Sequence, residues 1–376
     1  MVQKIPASGL ESAGGSFKNI FINGDMQISQ RTTSSSGLTT SAFVLDRWQM
    51  TLNGAGTWTM SQDTDVPTAQ GFTKSLKLDC TTADGSLAAG DYLYIHQRFE
   101  GQMLQHLKKG TTNAEKLTVS FWVKNTKTGT HVVQLWDEDN DRIIATTYTV
   151  DTTNTWEHKV VTFAGDTTGA IDNDNAASFR FIFWFAAGSD YSSGTLSTSW
   201  ASKTNANRAV GQVNSADSTS NNIYLTGLQV EIGDTASDFE HIPKDVQLLR
   251  CQRYCRLLKC QGIHYTYQFA TNWSRFNPTY ANASNEMRDL PSGTWMTATP
   301  TFDSTASAIT TDSNEFRWGY NGTTVDTTPS STLGIDNIGY YSLSVYNSGI
   351  NHSENGKSGF VAFKKQPTII LDSEFA

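Results

Sequence analysis

The stretch Ser178 to Gly188, SFRFIFWFAAG, limits the possible folds more than any other part of the chain. Phe179, Phe181, Phe183 and Phe185 alternate with Arg180, Ile182 and Trp184. Alternating side chains go to opposite faces of an extended strand, so this run predicts a strand with one very heavy apolar face. Burying each large side chain is worth roughly 1.5 to 3 kcal/mol before conformational entropy is charged. Such a face needs a second apolar layer opposite it.

The same period recurs along the chain. In LTVSFWVK, Leu117, Val119, Phe121 and Val123 point one way, and Thr118, Ser120, Trp122 and Lys124 the other. HVVQLW, a turn over Asp137–Asp141, IIATTYTV and WEHKVVTFAG read as a meander. Earlier, NIFINGDMQISQR reads as alternating Ile20 and Ile22, a turn at Asn23–Gly24–Asp25, then alternating Met26 and Ile28. GTWTM, SLKLDC and DYLYIHQRFEG continue the strands, and GQMLQHLKK reads as a short amphipathic helix. Leu76, Leu78 and Cys80 share a face, as do Tyr224, Leu228, Val230 and Ile232 in the closing run NNIYLTGLQVEIGD. Short strands with one apolar face each predict two sheets packed face to face, an all-β, jelly-roll-like sandwich. The polar stretch Ser189 to Thr219, anchored by Trp200 and Val210, is long enough for a functional or mobile loop.

The expected organisation is an N-terminal segment over 1–17, a sandwich over 18–242, a connecting helix over 243–262 and a smaller β-rich domain over 263–376. Pro243 suits a first helical turn. On that helix Leu248, Cys251, Cys255 and Leu258 fall at steps of three, four and three, a short seam that could sit at a symmetry axis. Met1 to Phe17 is small and polar, and reads as either a disordered start or a docking peptide.

Charged residues make up only 17% and the formal net charge is -8, which argues against an extended nucleic-acid surface. No apolar run reaches the roughly 18 residues of a membrane helix, and Met1 to Phe17 lacks the apolar core of a secretory signal. Synthesis in a cytoplasm is therefore expected, with reduced thiols at Cys80, Cys251, Cys255 and Cys260. No cofactor or metal is expected.

Enzyme motifs do not assemble. The chain contains no GxSxG elbow, no HExxH and no GxGxxG at the start of a helix. Asn351 stands where a phosphate loop ending at Gly356–Lys357–Ser358 needs its first glycine. Asp137, Asp139 and Asp141 mimic the start of a calcium loop, but Arg142 and Tyr148 occupy the glycine and glutamate positions. Aromatic residues are the better lead. Trp122 and Trp184 lie opposite their strands' apolar faces, and Trp136 ends a strand beside an acidic turn. They could stack on sugar rings, or pack under loops or against a neighbouring subunit. Trp273, Trp295, Trp318 and Tyr320 are recognition candidates in the last domain.

Several segments together resemble virion structural proteins of tailed bacteriophages, of the tail-fibre or head-fibre kind. They are NIFINGDMQISQR, Asp46–Arg47–Trp48, LTVSFWVK, FWFAAGS, GLQVEIGDTASDFEHIP and CQRYC, covering Asn19 to about Leu258, and the ending ILDSEFA is similar too. The resemblance implies a carbohydrate-binding-module type jelly roll, a variable distal β-region and a host-facing structural role without catalysis. It implies a homotrimer, other virion proteins as partners through the N-terminal segment, host-surface glycan as a ligand and location in the virion. A polysaccharide-degrading or sugar-binding surface protein and a capsid decoration protein of the same fold are the alternatives.

Overall fold

The computed structural model describes Lys18 to Lys259, strand backbone between Ile263 and Asp372, and Glu374, with side chains described through Leu257 and at Glu374. The chain divides into two compact units, Met1–Gln247 and Leu248–Ala376.

The described residues of the first unit carry thirteen strands: β1 (Ser34–Leu38), β2 (Ala42–Phe43), β3 (Gln49–Asn53), β4 (Thr57–Asp63), β5 (Ser75–Thr82), β6 (Tyr92–Glu100), β7 (Leu117–Asn125), β8 (Gly129–Asp137), β9 (Arg142–Val150), β10 (Glu157–Phe163), β11 (Ala177–Ala187), β12 (Ala201–Ser202) and β13 (Asn222–Ile232). A six-stranded sheet runs β1-β4-β5-β13-β7-β10, and a seven-stranded sheet runs β12-β9-β8-β11-β6-β3-β2. The pairings within both are antiparallel. The chain crosses between sheets repeatedly, and β13 inserts between β5 and β7. The fold is an all-β jelly-roll sandwich.

The phenylalanine face of β11 sits in the middle of the core, as its period predicts. Phe179, Phe181, Phe183 and Phe185 are all buried, alongside Phe121 of β7 from the opposite sheet. Phe183 meets Phe121 edge-on at 5.1 Å, and Phe181 meets Phe21 at the same separation. T-shaped pairs of this kind contribute beyond their buried area.

In β13 the expected face is wrong for Tyr224, while Ile232 has the expected parity but is left exposed. The register shifts between Thr226 and Gln229, around Gly227 with φ +62°. Before this bulge Ile223 and Leu225 face the core; after it Leu228 and Val230 do. Tyr224 consequently points out of the sandwich, and Ile232 at the strand end is 41% exposed. One extra residue reverses the alternation.

The segment Asn19–Ile28 is not the expected hairpin of two alternating runs; it is a buried, irregular plug. Asparagine side chains replace the strand ladder. Asn19 Nδ2 donates to Leu228 O, Val230 N donates to Asn19 Oδ1, and Asn23 Nδ2 donates to the carbonyls of Ile28 and Asp46. Gln97 closes a reciprocal pair with the Ile22 backbone. A Cβ on Gly24 would lie 2.1 Å from Leu228 O, so only glycine permits this approach.

The amphipathic helix expected at GQMLQHLKK is two 3-10 turns, Gly101–Met103 and Gln105–Leu107, stopped by left-handed Lys108. The connecting helix is real but short, with Pro243 directly ahead of Lys244–Gln252. Tyr254 N donates to Cys251 O as the chain turns, and Cys255–Lys259 forms a strand. That strand pairs with Thr368–Asp372, placing Cys255 opposite Asp372 and Leu258 opposite Ile369. The Leu248–Cys251–Cys255–Leu258 helical seam therefore does not exist, because its second half gains a β partner. Cys80 is a buried free thiol, Cys251 and Cys255 are buried too, and Cys260 lies outside the described residues.

Candidate functional site

The outer faces of the two sheets differ. On the six-stranded sheet, alternation in β7 sends Trp122 and Lys124 outward, and β10 sends out His158 and Val160. The register sets His158 opposite Trp122, with ring centroids 5.1 Å apart. One row away, Tyr224 stands between Lys77 and Lys124. Lys124 Nζ lies 4.5 Å from the Tyr224 ring centroid. Trp156, just before β10, lies 6.1 Å from Tyr224 and donates its indole N–H to Asp65 Oδ1 at 2.9 Å.

The result is an accessible aromatic patch. Trp122, Trp156 and Tyr224 are half-buried, while His158 and Val160 are exposed. Partial burial lowers the pKa of His158, which favours its neutral ring. Burial alone would raise the pKa of Asp65, but bonds from Lys124 and Trp156 outweigh that and keep its carboxylate ionised. Flat rings on a rigid pleat, rimmed by fixed donors and acceptors, suit the apolar faces and hydroxyls of a sugar.

The seven-stranded sheet presents aromatics too, but beneath a strap. After β11 the chain forms a short helix α1 (Ser189–Ser192), touches the sheet edge at β12, and crosses back through a 3-10 turn at Asn205–Asn207. Ala209 and Leu196 of the strap pack onto Tyr94, Val132, Ile182 and Trp184. Trp184 is thus fully buried, with its indole N–H donated to Gln134 Oε1 at 3.0 Å. It is not an outward platform. Trp136 is half-buried, and the cations of Lys203, Arg180 and Arg208 stand 4.1, 4.6 and 5.0 Å from its ring centroid. Three cations crowd this one ring, which leaves it less open to a sugar than Trp122. Of the predicted binding aromatics, Trp122 alone has both exposure and a suitable setting among the described side chains. Trp273 lies on the strand Trp273–Phe276, and Trp318 and Tyr320 lie on Glu315–Tyr320, but their side chains are outside the described residues, as is that of Trp295.

The sequence alone does not mark Trp156, His158 or Tyr224 as binding residues. The exposed parity of EHKVVTF was a usable signal for His158; the bulge hid Tyr224.

The aspartates of the turn after β8 do not converge. Asp141 accepts from Trp136 Nε1 at 3.1 Å, and Asp139 accepts from the Asp172 backbone N–H at 2.9 Å. Asp137 faces Lys109, whose side chain is 4% exposed and whose ammonium lies 2.5 Å from Asp137 Oδ2 and 3.1 Å from Asp166 Oδ2. The carbonyls of Thr168 and Gly169 complete the cage at 2.9 and 2.8 Å. Beside it opens a groove of about 450 Å³ lined by Leu104, Gln105, Lys108, Thr111 and Ile171. Its inner donors are spent on the protein itself, with Gln105 Nε2 donating to the carbonyls of Gly101, Ile171 and Asp172.

No protein-family model matches this chain, and neither does any curated protein. Solved structures do. The chain is similar to the enzymatically active domain of bacteriophage CBA120 tailspike protein 4, at 13% identity and a TM-score of 0.31, over 57% of this chain and 22% of that one. It is similar to the TmCBM61 module solved with β-1,4-galactotriose, at 7% identity and a TM-score of 0.30, over 58% of this chain and 100% of that one. It is similar to the CBM22-1 and GH10 modules of a Clostridium thermocellum xylanase complexed with xylohexaose, at 10% identity and a TM-score of 0.28, over 58% of this chain and 29% of that one. The sheet order itself makes the fold a jelly-roll sandwich.

Proposed function

We propose that this chain is a fibre subunit of a tailed-phage particle that holds host-surface glycan on the open face of its six-stranded sheet. The observation that carries the binding part is the Trp122–His158 and Trp156–Tyr224 patch, accessible on a rigid sheet and rimmed by Lys77 and Asp65. Large flat rings give contact area at low entropy cost, and the polar rim fixes orientation. The fibre part is supported by the phage-protein resemblance of Asn19–Arg31, Asp46–Arg47–Trp48 and Gly227–Pro243. In this reading the protein binds without cleaving, works as a homotrimer, docks through Met1 to Phe17 and resides in the virion after synthesis in the host cytoplasm.

A glycan array followed by calorimetry on the best binder tests the patch. Trp122→Ala is expected to weaken binding about tenfold or more, which is about 1.4 kcal/mol. Failure of the wild type to bind any glycan, or unchanged binding when Trp122 and Trp156 are both alanine, refutes it. Release of reducing sugar from a bound glycan would replace binding with hydrolysis. Light scattering that finds a monodisperse monomer at micromolar concentration would remove the trimer.

A further inference from the structure

Arg208 reaches from the strap onto the outer face of the seven-stranded sheet and is only 6% exposed. Its guanidinium lies 5.0 Å from the ring centroids of Trp136 and Trp184 and 5.7 Å from that of Tyr191. Nε donates to Gln134 Oε1 at 3.3 Å, but Nη2 has no hydrogen-bond acceptor. Gln134 is fully buried as well, and its Oε1 already receives the Trp184 indole N–H. Its Nε2 also lacks an acceptor. Two donors on mutually bonded side chains are therefore unanswered, one of them charged.

The neighbouring charges do not answer them. Glu138 is engaged by Arg180, through two bonds of 2.9 Å, and by Arg98 at 3.4 Å. Among the described residues no carboxylate pairs with Arg208. Burial, followed by the charges of Arg180, Arg98, Arg47 and Arg208, holds His96 on this face well below the usual imidazole pKa. Arginines therefore dominate the charge around His96, although the whole chain is acidic. Buried polar groups normally have partners, and a buried cation without an anion is costly.

We propose that Arg208 and Gln134 form an acid-binding subsite, in which the carboxylate of an acidic sugar accepts from Arg208 Nη2 and Gln134 Nε2. The half-buried rings of Tyr92, Trp136 and Tyr191 border it. The carboxylate reaches Nη2 by displacing the Tyr191 side chain, which belongs to the same strap. The subsite lies on the opposite sheet from the Trp122 platform and rests on the glycan-binding reading only for the carrier of the carboxylate.

The experiment follows the tryptophan indole N–H resonances of the full chain while glucuronate or glucose is added at equal ionic strength. The background is Trp122→Ala, which removes the open platform. Glucuronate is expected to shift the Trp136 and Trp184 signals with an affinity at least about tenfold above that of glucose. Arg208→Gln is expected to abolish the difference, and Arg208→Lys to retain part of it. Equal responses to glucuronate and glucose, to glucuronate and acetate, or no response to glucuronate overturn the subsite. Should Arg208→Gln fail to fold, the comparison of glucuronate, glucose and acetate on the Trp122→Ala background decides alone. Loss of array binding in Trp122→Ala with an intact glucuronate response, or the reverse, separates this subsite from the platform.

Discussion

The outer face of the seven-stranded sheet and that of the six-stranded sheet begin from the same strand grammar and end differently. Both are outward parities of alternating strands, and both carry tryptophan beside cations. On one, the chain between β11 and β13 returns as a strap that buries Trp184 and sets Lys203 and Arg208 against Trp136. On the other, Trp122, Trp156 and Tyr224 stay reachable. Parity decides which side of a sheet a residue is on. It does not decide whether anything covers that side.

This contrast can be broken by mutation. The largest effect is expected from Trp184→Ala, which removes a fully buried indole and its bond to Gln134 and should cost about 3 to 5 kcal/mol. Denaturant unfolding would measure it, and a loss under about 1 kcal/mol would mean that the strap does not hold in solution.

Acid should next loosen the core edge where the strap ends. His131 is fully buried, and its Nδ1 lies 3.0 Å from Gln212 Nε2 of the strap. Burial pulls its pKa down to about 4, against backbone bonds with Lys127 and Trp184 that raise it. Between about pH 6.5 and pH 4 the unfolded chain takes up a proton that the folded chain refuses. Its contribution is therefore complete above pH 6.5 and declines as pH falls through that window, by up to about 3 kcal/mol. Melting curves across the window should show a slope that His131→Gln flattens.

A smaller effect tests the bulge. Gly227→Ala places a Cβ 2.5 Å from Phe72 at a φ of +62°, and is expected to cost about 1 to 3 kcal/mol. It should also disturb glycan binding, since the bulge is what turns Tyr224 outward. The smallest change in stability belongs to Trp122→Ala, within about 1 kcal/mol of wild type by the same unfolding assay. A large destabilisation there would make Trp122 a structural residue and remove the platform.

Much of the sandwich was legible because period-2 alternation is strong in β7, β8, β9 and β11. The phenylalanine face and the Asp137–Asp141 turn follow directly from it. Elsewhere local pattern lost to tertiary partners. Asn19 and Asn23 satisfy a buried backbone that reads as a hairpin, and Cys255–Lys259 becomes a strand only through Thr368–Asp372. The strap was read as a polar loop anchored by Trp200 and Val210. Trp200 does anchor it, packing on Phe179 and donating its indole N–H to Ala164 O at 2.7 Å, but Arg208 and Ala209 grip the sheet as well, and a guanidinium set against indole rings leaves no periodic trace. Of the candidate site, Trp122 was visible, while Trp156, His158 and Tyr224 needed the register.

The Lys109 cage has a consequence for how the protein can be handled. An ammonium held by two carboxylates and two carbonyls does the charge balancing that a loosely held ion could otherwise do, yet it is tethered by its own side chain. Dilution, dialysis and chelating agents cannot strip it away. The corner where the β8–β9 turn meets the loop after β10 should therefore keep its shape in rain water as well as in a salt-rich medium.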